Sequence, residues 1–231
     1  MNYYFAPLEG ITGYIYRNTY EKHFGGFVKY FSPFITTNQH FGMQNKEKKD
    51  VAPENNQGIY LVPQIMTNNA EQFRDMAEKM SNLGYKEVNI NIGCPSRTVV
   101  AKKKGSGFLA YPEELNGFLD EIFWYCKDME ISVKTRIGME NPEEFERLLE
   151  IYNKYPLKEL IVHPRLQTDY YKTLPNNSGH IIYTFFIICD SYFSSYISIT
   201  SAPPSNSLLN FVGTACRTPL PLRNHSYSKS M

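Results

Sequence analysis

Hydrophobic and polar positions alternate along residues 86–92, where Val88, Ile90 and Ile92 are interleaved with Glu87, Asn89 and Asn91. A period of two marks a β-strand, and the run breaks at Gly93-Cys94-Pro95 into a polar loop. Similar short runs predict strands at 3–8, 27–31, 59–65, 131–136 and 159–163. Between them the period changes to that of a helix. Phe73, Met76, Ala77, Met80 and Leu83 fall on one helical face, with Asn69 as a cap, Gln72 completing a capping box and Gly84 as the stop. Leu115, Phe118, Leu119, Ile122 and Phe123 form a second such face after Pro112. Phe145, Leu148, Leu149 and Tyr152 form a third after the helix start Asn141-Pro142-Glu143-Glu144. A helix over 13–24 stops at Gly25-Gly26, and 36–57 is expected to be a long loop holding a short helix.

Strand and helix in strict alternation imply parallel strands joined by crossover helices. A doubly wound sheet and a (β/α)8 barrel both satisfy that pattern. The polar residues favour the barrel. Glu9, Gln64, Asn91, Cys94, Lys134, Arg136, His163 and Arg165 all lie toward the C-terminal ends of different predicted strands, where barrel enzymes assemble their sites. Three lysines at 102–104 and a Gly105-Ser106-Gly107 stretch, expected to be flexible, follow Cys94.

Composition changes this picture at one place. Residues 173–231 hold only four charged residues, Asp190, Arg217, Arg223 and Lys229, out of 47 in the chain, and the alternation ends there. Residues 1–172 are therefore expected to form a partial barrel, and 173–231 an atypical serine- and aromatic-rich tail from a frameshift, a mis-spliced intron or a truncated gene. The apolar run 181–189 is too short for a membrane span and is expected to be a buried strand or an incidental run. The net charge of +1 points to no global nucleic-acid surface. Four cysteines without CxxC or CxxH spacing argue against a zinc site or a disulfide framework, and the start lacks a signal-peptide pattern. A cytoplasmic protein without membrane or metal is expected.

Six motifs then occur in order: APLEGIT (6–12), VPQI (62–65), NINIGCPS (89–96), KKGSGFL (103–109), VKTRIG (133–138) and VHPR (162–165). Together they resemble the tRNA-dihydrouridine synthases, flavin enzymes that reduce uridines of tRNA. The resemblance implies an FMN-binding (β/α)8 TIM barrel, re-reduced by NADPH, with tRNA as partner and a monomer as the working form. It implies that Pro7, Leu8 and Glu9 line the flavin through backbone contacts, that Gln64 bonds its ring, and that Lys134 and His163 face it. Cys94 is implied as the proton donor, Asn91 as a uracil contact, and Lys103 and Arg165 as RNA contacts.

The chain departs from the family beyond residue 172. The seventh strand's Asn-Gly-Asp-like ending and the eighth strand's Gly-Arg, which hold the FMN phosphate, are not in this sequence. Six strands cannot close an eight-strand barrel, so exposed edges are expected on the first and sixth, with the run at 181–189 available to patch one. Two other readings stand beside tRNA reduction: an FMN barrel acting on a small molecule, and a non-catalytic remnant.

Overall fold

The computed structural model describes residues 3–37, 42–170, 185–190 and 193–199. Six parallel strands run in chain order: β1 (Tyr4–Phe5), β2 (Lys29–Thr36), β3 (Leu61–Met66), β4 (Glu87–Ile92), β5 (Glu130–Gly138) and β6 (Leu160–Leu166). Between them lie α1 (Tyr14–His23), α2 (Asn45–Val51), α3 (Ala70–Asn82), α4 (Arg97–Val100), α5 (Pro112–Tyr125) and α6 (Glu144–Tyr152). This is an incomplete TIM barrel.

Strand alternation sorts the side chains into two worlds. Val88, Ile90 and Ile92 pack with Phe73, Met76, Met80, Leu115, Phe118 and Leu148 in the large core between sheet and helices. The intervening positions of each strand face the barrel interior, which is mostly polar. Asn89 donates from Nδ2 to Ser132 Oγ at 2.9 Å and accepts at Oδ1 from Gln64 Nε2 at 2.8 Å, so three neighbouring strands are bonded across the interior. Tyr4, Phe31, Val62 and Ile161 form a small apolar layer below them.

At the base of the interior sits a charge cluster. Lys29 Nζ lies 2.8 Å from Glu87 and 3.1 Å from Glu159, and the Tyr4 hydroxyl donates to Glu159 at 2.5 Å. All three charged side chains are largely buried.

Several expectations need correction. β1 is only two residues long, and Pro7, Leu8 and Glu9 lie beyond its pairing. β2 begins two residues later than expected and continues to Thr36 through Pro33. Pro33 has no N–H to give a neighbour, and the β2–β3 register shifts between Phe31 and Phe34 to accommodate it. Ser32 Oγ accepts from the Gln64 N–H at 3.0 Å at that irregularity. Asn69 does cap α3, accepting from the Gln72 N–H. Gln72 Oε1 turns instead to Thr37 and Thr67, so the box is half made there and complete at Gln44 and Glu47 on α2. At α6 the expected Asn141 cap is replaced by the Glu144 carboxylate, which gathers the N–H groups of Met139, Glu140 and Asn141.

The sixth strand's edge is covered rather than exposed. Strands β7 (Phe185–Asp190) and β8 (Phe193–Ile199) pair antiparallel with each other, β8 pairs antiparallel with β6 over Leu160, Ile161 and Val162, and β7 approaches β1. The apolar run at 181–189 is thus partly a strand. The rest of the predicted tail lies outside the described residues.

Candidate active site

Asn91, next to last in β4, organises the site. Its Nδ2 donates to Gln64 Oε1 at 2.7 Å, which ties the ends of β4 and β3 together. Its Oδ1 accepts from the Gly93 and Cys94 N–H groups at 3.1 and 2.9 Å, closing an Asx-type turn that lifts Cys94 off the strand. Each of these two amides has spent one of its two side-chain hydrogens, so each retains a second donor by its chemistry.

Cys94 is half-buried, and burial is the main reason its thiol titrates above the ordinary range. The Ser96 N–H, Lys134 and Arg136 pull the other way, and Glu9 adds to the rise. A thiol so placed is protonated at neutral pH.

Lys134 pairs in register with Asn91 and lies on the interior face of β5. Burial, reinforced by the neighbouring Arg136 charge, pushes its ammonium down to about 7, while Cys94 opposes the change. A lysine held near its titration point responds strongly to any negative charge brought beside it.

His163 and Arg165 extend the group from β6. Both are buried, and Arg165 Nη1 lies 2.9 Å from His163 Nε2. A guanidinium can only donate, so this imidazole nitrogen is the acceptor and the proton sits on Nδ1. Burial, then Lys134, Arg136 and Arg165, hold its pKa well below the ordinary value.

The structure therefore brings Gln64, Asn91, Cys94, Lys134, His163 and Arg165 into one contiguous group. Pro7 and Leu8 are half-buried, and the Leu8 N–H and C=O are both engaged with Thr12. Glu9 is exposed and paired with Lys46 at 3.2 Å, yet its charge reaches Cys94. Lys103 is directed elsewhere. Its Nζ lies 3.1 Å from Glu114 and 3.9 Å from the Tyr111 ring centroid, both at the start of α5.

Two features escaped the sequence. Arg136 is fully buried and donates to the carbonyls of Gly93, Leu166 and Tyr170 at 2.9, 2.7 and 3.0 Å. The stretch Gly105-Ser106-Gly107, expected to be flexible, is buried and hydrogen-bonded. It opens a buried 3-10 helix (Gly105–Ala110), and Ser106 gives both its N–H and its hydroxyl to the Cys94 carbonyl. The polar hinge-like composition suggested mobility; the signal for burial was Phe108-Leu109 immediately after it.

An amide, a cation of lowered pKa and a neutral imidazole share this end of the interior, a donor set whose chemistry would suit a polar heterocycle that takes up negative charge, such as a flavin ring. No cluster of His, Cys, Asp or Glu among the described residues could hold a metal ion, and none of their helices is long and apolar enough to cross a membrane.

Comparison with known proteins places the chain in a family. The dihydrouridine synthase (Dus) family model matches residues 4–184, slightly beyond the composition break. A Staphylococcus epidermidis protein named "Probable tRNA-dihydrouridine synthase" is 27% identical over 169 residues, covering 71% of this chain and 50% of its own. "Probable tRNA-dihydrouridine synthase 2" of Bacillus subtilis is 28% identical over the same shares. The "tRNA-dihydrouridine(16) synthase" of Vibrio vulnificus is 24% identical, over 72% of this chain and 54% of its own. The chain spans about half the length of the curated relatives it matches. With a family match across most of its residues, the chain belongs to the dihydrouridine synthase family.

Proposed function

We propose that this chain carries the catalytic half of a reductase that converts uridine in tRNA to 5,6-dihydrouridine. The observation that carries the reading is the convergence, on three adjacent strands, of the protonated Cys94 thiol with the Gln64–Asn91 amide pair and Lys134. Saturating the uracil C5–C6 bond takes a hydride at C6 and a proton at C5. Bound FMN, reduced by NADPH, would supply the hydride.

The chain's own groups would do the rest. Cys94 would give its proton to C5 and recover one from solvent; a thiol raised by burial is fully protonated for that task at neutral pH. Lys134 and the second donor of Gln64 would meet the flavin ring, with His163 beside them and Pro7, Leu8 and Glu9 along its edge. An incoming negative charge would return Lys134 to its charged form. Asn91 would orient the flipped-out uracil with its remaining N–H. Arg165 would lie near the RNA. Lys103 would do so only after leaving Glu114.

The test uses the full chain with FMN, NADPH and unmodified transcribed tRNA, and counts dihydrouridine by mass spectrometry. Dihydrouridine should form, and Cys94→Ala should keep flavin binding while losing on the order of 100-fold in turnover. Product at the wild-type rate from the alanine variant would remove Cys94 from its role. A chain that binds flavin and makes no dihydrouridine would end the proposal.

A further inference from the structure

The backbone that carries Cys94 is gripped from three elements, two of them distant in sequence. Asn91, on β4 itself, takes the Gly93 and Cys94 N–H groups. Arg136, on β5, donates from Nε to the Gly93 carbonyl. Ser106, on the 3-10 helix, puts both of its donors on the Cys94 carbonyl at 3.0 and 2.9 Å. Every backbone polar group of this dipeptide is held. Strand-end loops are usually the mobile part of a barrel, so so many partners on two residues call for a reason beyond folding.

We infer that Arg136 and Ser106 are positioning residues for Cys94, fixing its thiol in the site before substrate arrives. The inference rests on Cys94 being the reacting group. Arg136 suits the task because its planar fork reaches three carbonyls at once: Gly93 beside the thiol, Leu166 at the end of β6 and Tyr170 just past it. It thereby couples the thiol-bearing loop to the strand that carries His163 and Arg165. A lysine at this position keeps the charge and loses the fork. Gly105 permits Ser106 to come close: a Cβ there would meet the Cys94 carbonyl oxygen at 2.7 Å and its Cβ at 3.0 Å.

Arg136 also acts through charge. Burial raises the thiol's titration most, and the groups that modulate it are the Ser96 N–H beside it, Lys134 and Arg136 on β5, and Glu9 from the loop after β1. Removing the guanidinium removes one of the two cations that favour thiolate.

The test is the pH dependence of Cys94 alkylation by iodoacetamide in the full chain, followed on its own peptide so that Cys126, Cys189 and Cys216 are counted separately. Three variants divide the two effects. Arg136→Met should move the alkylation midpoint to higher pH and raise the plateau rate at high pH. Arg136→Lys should leave the midpoint near that of the wild type while the plateau rises roughly threefold or more, because the loop is no longer held. Ser106→Ala should raise the plateau and leave the midpoint unchanged. Should Arg136→Met not fold, the other two decide. Wild-type plateaus in both Arg136→Lys and Ser106→Ala would overturn the proposal. The assay uses neither flavin nor tRNA, so a failure of the dihydrouridine reading would show in the product assay and a failure of the positioning role in the alkylation rates.

Discussion

At the scale of single residues, the sequence pointed to candidate chemistry more readily than to its supports. Cys94, Lys134 and His163 stood at strand ends where a polar side chain needs a reason, while their roles, and the choice of Gln64, came from the family resemblance. Arg136 shares that pattern, but nothing in a string of letters tells a buried arginine bonded to three carbonyls from one on a strand edge. His163 gives this scale its prediction. It is 2% exposed, accepts from Arg165 and is held neutral. An unfolded histidine takes up a proton near pH ~6.5, and the folded one does not. Below that pH the unfolded state binds more protons, so stability falls as the solution is acidified. His163→Gln keeps an acceptor for Arg165 and cannot titrate. Urea midpoints should therefore drop between about pH 7 and pH 5.5 in the wild type by more than in His163→Gln. Parallel curves for the two proteins would sink the idea.

At the scale of elements, periodicity located the long helices and every parallel strand, because one face of each is buried against the core. It failed where the backbone does something local. The second strand was expected to stop at residue 31, yet β2 runs on through Pro33 by a register shift that Ser32 helps to satisfy. Two glycines around Ser106 looked like slack, yet they allow the 3-10 helix to pack against the Cys94 loop. Gly105 has φ +54, and a Cβ there would clash with the Cys94 carbonyl; Gly26 has φ +90 with open space around its missing Cβ. Gly26→Ala should cost only the conformational strain, about 1–2 kcal/mol. Gly105→Ala should cost that plus the displacement of the loop, roughly 2–4 kcal/mol in total. Equal losses in urea denaturation would mean that the 3-10 helix yields without resistance, and that the Cys94 loop is not seated on it.

At the scale of the molecule, six strands hold a barrel-like curve while the first and sixth are far apart in sequence. The alternation of strands and helices forecast the parallel order, but not what draws the base of the barrel together. Tyr4, Lys29, Glu87 and Glu159 lie in four separate predicted strands, and nothing in their spacing links them. In the structure they meet: β1, β2, β4 and the residue before β6 share one buried cluster, with Lys29 as the cation between two carboxylates. Burial raises the Glu159 carboxyl above its usual range, and Tyr4 and Lys29 restrain the rise. Lys29→Met would leave two buried carboxylates facing each other, at a cost of about 3–5 kcal/mol near neutral pH. The pH dependence separates this cause from simple loss of packing. Without Lys29 the Glu159 carboxyl, already raised by burial, binds a proton more readily in the folded state than in the unfolded one, so acidification should stabilise the variant relative to the wild type. The deficit should shrink between about pH 7 and pH 5, and Glu87→Gln with Glu159→Gln added to Lys29→Met should recover most of it at neutral pH. A deficit that is constant with pH and untouched by the two amides would assign the loss to the lysine's alkyl chain, and the curvature of the sheet would then need a source other than this cluster.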